Sequence, residues 1–168
     1  MPMYLCPIIA FLKDGKLRDA LYNFSLGFNM LGGIMAFIEP SGINNTYWAL
    51  TFHSYIWHTL LIFVGLYFGF SGRAAKKVKD FKGAVIVYLV LCVIAFSFNL
   101  IFREVSGGDV NCFYIGPSPS PLIICKTICE WFGWYVNAPL YIFATSLGAY
   151  LLYLPFAKHN EKKLKTEA

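Results

Sequence analysis

Charge is scarce in this 168-residue chain. Only 14% of the residues are Asp, Glu, Lys or Arg, against about 25% in an ordinary globular domain. A compact soluble domain of this length needs a polar shell, and too few charges are present to build one. A soluble enzyme, a secreted disulfide module and a disordered chain are therefore all excluded. The N-terminus lacks the basic region and small-residue cleavage site of a signal peptide, and the large Leu5 before Cys6 does not suit a lipoprotein cleavage box. No His/Cys group has metal-ligand spacing, so neither a metal nor another cofactor is expected. Broad basic faces and nucleic-acid motifs are missing too, so the net charge of +5 does not point to nucleic acid. Five cysteines (Cys6, Cys92, Cys112, Cys125, Cys129) make an odd number spread over apolar runs and one loop. A loop disulfide involving Cys112 is left open.

What the chain has instead is apolar sequence: 58% hydrophobic and 18% aromatic residues. Four runs stand out, at 20–38, 48–70, 84–102 and 134–156. At about 1.5 Å per helical residue, each can cross a hydrocarbon layer about 30 Å thick. Lipid offers nothing to unpaired backbone groups, so the runs must be helices. A fifth run, 2–12, is too short to cross and reads as the inner half of a helix whose beginning is missing. The expected fold is all-α: a polytopic membrane bundle of about five spans, the first incomplete. It forms one domain over 1–157, followed by a basic tail over 158–168.

The cations fix the expected orientation. Lys13, Lys16 and Arg18 follow the first run; Arg73, Lys76, Lys77, Lys79 and Lys82 follow the third; Lys158, Lys162, Lys163 and Lys165 follow the last. The loop around Glu39 has no basic residue, and 103–133 has only Arg103 and Lys126 against three acids. By the positive-inside rule the N-terminus faces out and the tail lies in the cytoplasm of a multi-pass cell-membrane protein. Membrane lipids are the expected partners. The long outer segment carries Gly107-Gly108 and the run Gly116-Pro117-Ser118-Pro119-Ser120-Pro121, where repeated prolines forbid regular helix. A short interfacial or re-entrant helix is expected over 122–131, with Trp131, Trp134 and Tyr135 in the aromatic belt.

Polar residues inside spans are costly in lipid and usually face the bundle interior. His58 lies ten residues past Trp48, near the midplane, with Ser54 one turn earlier on the same face and His53 rotated away. Cys6 lies at middle-to-inner depth in the first run. A thiol beside an imidazole is the minimum apparatus for acyl transfer: the imidazole takes the thiol proton and the thiolate attacks an ester. The residues lie 52 positions apart, so spacing leaves open whether their helices bring them together. The ordinary alternative is a cysteine packed as a small hydrophobe and a histidine bonded to a neighbouring helix. Asn23, Asn29, Asn99 and Asn137 read chiefly as interhelical glue, with Asn29 the best placed for a site role. Gly27, Gly32, Gly33 and the Gly65–Gly69 pair suit close helix packing.

Several local patterns occur together in order: Tyr4-Leu5-Cys6 opening a span, Ala36-Phe37-Ile38-Glu39-Pro40 closing the next, and His58 before the run Leu60 to Tyr67. Val110-Asn111-Cys112-Phe113-Tyr114, a proline-containing loop and Trp134-Tyr135 follow. Over nearly its whole length the chain resembles the YwaF-type family of integral membrane proteins. That resemblance implies seven helices with the N-terminus outside, two of them preceding this sequence. A vertebrate relative is regarded as a Cys/His-dependent phospholipid acyltransferase, so the resemblance implies Cys6 as nucleophile and His58 as base. Asn29 or Asn111 would support the oxyanion. The alternatives are a lipid hydrolase, a non-enzymatic component such as a small-solute transporter subunit or structural partner, and an inactive, N-terminally truncated family member.

Overall fold

The computed structural model describes residues 2–118, 120 and 122–166. Pro119 and Pro121 of the proline run and the last two residues of the tail lie outside the described residues. Everything regular among the described residues is helical. The helices are α1 (Pro2–Phe11), α2 (Lys16–Phe24), α3 (Met30–Ile38), α4 (Trp48–Phe70), α5 (Phe81–Ile101), α6 (Ile123–Phe132) and α7 (Trp134–Thr166). A π-helical turn, Ser25–Asn29, joins α2 to α3 without a break, so the pair forms one rod. Four helical stretches are long and apolar enough to cross a membrane: Lys16–Ile38, Trp48–Phe70, Val78–Ile101 and Trp134–Lys163.

Span boundaries follow the apolar runs closely, and they differ where polar residues continue a helix. The second span begins at Lys16 rather than Ala20, because Lys16, Leu17 and Arg18 are good helix formers. Helix α7 runs on through the basic tail to Thr166, since lysine-rich sequence supports helix in water as well as in lipid. Pro40 follows Glu39 at the close of α3, where the residue before a proline is pushed out of helical geometry. Gly133 (φ +85°) separates α6 from α7, a left-handed position that a glycine fills without strain.

The chain divides into two compact units. The first comprises Met1–Val87 and Ser146–Ala168. Its centre is the α2–α3 rod, the most buried of the four long helices. Helix α4 packs along it in one antiparallel register, with Gly33 against Ile62, Gly65 against Met30 and Gly69 against Leu26. At Gly33 and Gly65 even a methyl group would meet a backbone carbonyl at 2.8–2.9 Å. Small residues there let the helices approach closely, as expected from their positions in the sequence. Gly32 has open space around it and plays no such part. Helix α1 packs on α2 and α4, burying Leu5 and Ile9.

The loop between α4 and α5 is strapped into this unit by polar side chains. Asn23, 4% exposed, accepts the Ala75 N–H at 2.8 Å and donates to the Asp80 carbonyl at 3.2 Å. From α7, Tyr153 donates to the Lys77 carbonyl at 2.9 Å and Asn160 donates to the carbonyls of Ala74 and Ala75. The Glu161 carboxylate accepts the Val78 N–H. A loop with no regular ladder thus has its backbone groups satisfied one by one.

The second unit is Tyr88–Thr145. Here Asn99, fully buried, grips Cys112 at both backbone groups, donating to its carbonyl at 3.0 Å and accepting its N–H at 2.6 Å. Asn137 donates to the Tyr114 carbonyl at 3.2 Å. Tyr88 and Thr145 share a 2.7 Å hydroxyl hydrogen bond. Asn23, Asn99 and Asn137 therefore do not join helix to helix. Each ties a connecting loop to a helix through the loop's backbone.

Candidate functional site

His58 sits half-buried on α4. Its Nδ1 lies 2.7 Å from the Ser54 carbonyl oxygen, one turn earlier. A carbonyl only accepts, so Nδ1 carries a proton, and the neutral form of this ring has its lone pair at Nε2. That is the tautomer a general base requires. The partner on the Ser54 turn is thus a backbone carbonyl. His53 is exposed and stands tilted against Trp57, with ring centroids 5.9 Å apart.

Cys6 is half-buried on α1 with a free thiol. The short connection from Leu12 to Gly15 leads from α1 into α2, and α1 packs on both α2 and α4. Ser25 of the α2–α3 rod touches α4 at Gly65 and Leu26 touches it at Gly69. His58 is twelve residues before Phe70, roughly 18 Å along the helix. Helices α1 and α4 are neighbours, yet among the described residues no hydrogen bond joins the Cys6 thiol to the His58 imidazole.

Asn29 occupies the last position of the π-helical turn, 6% exposed, and its Nδ2 has no hydrogen-bond partner among the described residues. Widened turns of this kind often mark functional positions in helices. The antiparallel register puts Asn29 level with Leu66, eight residues from His58 and so about 12 Å along the axis. His58 and Asn29 thus occupy different levels of the first unit. Asn111 belongs to the second unit, where its amide donates to the Ser118 carbonyl and accepts the Gly116 N–H at 2.8 Å. Both ends organise the loop. Beside it, burial pushes the Tyr114 phenol up from its usual range, with Cys125 a lesser influence.

Among the described residues no three His, Cys, Asp or Glu side chains gather as metal ligands, and all five cysteines are free. Sequence reading missed the strap around Ala75, because its partners are backbone groups that carry no sequence signal. Asn160 and Glu161, one turn past Phe156 on the same helix, were the available clue.

A family model matches residues 1–155 and is that of the TMEM164 family. The chain belongs to the TMEM164 family. The match takes in α1 to α6 and the apolar part of α7, so every candidate residue above lies within the TMEM164-family region. No curated protein and no solved structure matches the chain. What this TMEM164-family chain does must accordingly be argued from its own residues.

Proposed function

We propose that the protein is a lipid-modifying enzyme of the cell membrane, a phospholipid acyltransferase or hydrolase. The YwaF-type resemblance of the sequence supports this, with Cys6 as nucleophile and His58 as base. The observation that carries the reading is the Nδ1 contact of His58 with the Ser54 carbonyl, which leaves Nε2 ready to accept a proton. His58 Nε2 takes the Cys6 Sγ proton, and the thiolate attacks the ester carbonyl of a phospholipid. The tetrahedral adduct collapses, the C–O bond breaks, and the leaving lysophospholipid oxygen receives the proton from His58. An acceptor hydroxyl or water then gives its proton to His58 and attacks the thioester, restoring the thiol. The step requires the Cys6 thiol to come within reach of His58 Nε2.

The contact of His58 with its own helix turn at the Ser54 carbonyl favours a second reading, a non-enzymatic membrane component in which Cys6 packs and His58 caps that turn. Turnover decides between them. Purified protein reconstituted with labelled phospholipid is expected to release or transfer fatty acyl groups, and Cys6→Ala and His58→Gln are each expected to lower the rate at least 100-fold. No turnover in any of the three establishes the second reading, and equal turnover in all three overturns the roles of Cys6 and His58.

A further inference from the structure

Where α5 begins, the first unit has an open groove of about 480 Å³, within the range of small-molecule sites. Its walls are Phe81, Val85 and Ile86 of α5 and Tyr150 of α7, and Lys79 and Lys82 stand on its rim. Both lysines are exposed, and neither enters an ion pair among the described residues. They are three residues apart across the turn that leads into α5, so they face the same side. The positive end of the α5 dipole adds to the same corner.

The arrangement has two chemistries in sequence along one helix. Lys79 and Lys82 lie in the basic loop, at the level of lipid headgroups, and Val85 and Ile86 lie one turn further into the apolar span. A phosphodiester needs cations at the interface, while an acyl chain needs an apolar trough directly below them. Lysine serves as a point-charge partner for phosphate. Asp80 sits between the lysines in sequence, and its backbone carbonyl accepts from Asn23.

We propose that this groove is a binding site for one anionic phospholipid, with its phosphate held by Lys79 and Lys82 and one acyl chain lying along Phe81, Val85, Ile86 and Tyr150. The site is independent of any chemistry at Cys6 and His58. Each lysine near an anionic lipid contributes about a fivefold preference, so the pair gives roughly 30-fold.

Native mass spectrometry of the full chain, titrated in detergent with phosphatidylglycerol, phosphatidylcholine or inorganic phosphate, tests the proposal. Wild type is expected to retain one phosphatidylglycerol at least tenfold more tightly than phosphatidylcholine, with equimolar phosphate failing to displace it. Lys79→Gln/Lys82→Gln, two exposed positions, is expected to weaken retention about 30-fold. Val85→Trp fills the groove and abolishes retention with both lysines intact. Lys13→Gln/Lys16→Gln removes the same charge from a loop without the groove and leaves retention unchanged. Wild-type retention in the Lys79/Lys82 variant or in Val85→Trp overturns the proposal. So does equal loss in the Lys13/Lys16 control, or displacement by phosphate alone.

Discussion

Asn23→Ala tests the strap that organises the first unit. Asn23 is nearly fully buried, and its amide satisfies two backbone groups of one loop. Ala75, whose N–H it accepts, is itself fully buried and holds a left-handed φ of +55°. Truncation leaves that N–H without a partner and without water, a cost of about 1–3 kcal/mol. The Asp80 carbonyl is half-buried and regains water, so its lost hydrogen bond costs about 0.5–1.5 kcal/mol. The sum is about 3 kcal/mol, a large share of a stability of about 5–15 kcal/mol. Asn160→Ala removes two longer contacts to the neighbouring carbonyls, both 3.3 Å, and is expected to cost about 1 kcal/mol. Because both asparagines hold Ala75, the double variant departs from additivity by about 0.5 kcal/mol or more. Reversible unfolding in mixed micelles reads all three. A loss below about 0.5 kcal/mol for Asn23→Ala, or strict additivity of the pair, refutes the reasoning.

Other expectations follow from the same contacts. Gly33→Ala forces a methyl group to within 2.8 Å of the His58 carbonyl and is expected to cost about 1–3 kcal/mol, whereas Gly32→Ala, with open space, is neutral or slightly stabilising in the same assay. Asn99→Ala releases both backbone groups of Cys112, and hydrogen exchange over 111–118 is expected to quicken while the long helices keep their protection. A membrane-impermeant maleimide applied from outside is expected to label exposed Cys112 well before buried Cys125. Labelling of Cys112 only from the cytoplasmic side contradicts the orientation read from the cations. Burial, reinforced by Cys129, pushes the Cys125 thiol up. A raised thiol loses thiolate at neutral pH, so its labelling climbs about tenfold per pH unit into a more alkaline range than a free thiol's.

Much of the fold was legible because lipid leaves the backbone few options. The run 48–70 became α4 to the residue, since an uninterrupted apolar stretch must form a helix and nothing polar extends it. The close approaches at Gly33 and Gly65 were legible too, because a missing side chain at helical spacing is a packing signal. The candidate site was less so. Cys6 and His58 each had a depth readable from the start of its own run, but their relative level depends on how α1 returns into α2 and how α4 registers on α3. Those registers are set by contacts such as Met30 with Gly65 and Leu26 with Gly69, which no spacing rule supplies. In sequence the asparagines read as interhelical glue, whereas Asn23, Asn99 and Asn137 bond the backbone of connecting loops. Their partners were not legible, since a backbone N–H at Ala75 or Cys112 looks the same in any sequence.

The central claim is that Cys6 accepts an acyl group from phospholipid with His58 as base. Peptide mass mapping of the purified protein after incubation with phospholipid measures it directly. The account predicts a fatty-acyl mass increment on the Cys6 peptide that hydroxylamine removes, as a thioester requires, and that is lost in Cys6→Ala and strongly reduced in His58→Gln. An unmodified Cys6 peptide, or an increment that persists at full level in His58→Gln, contradicts it.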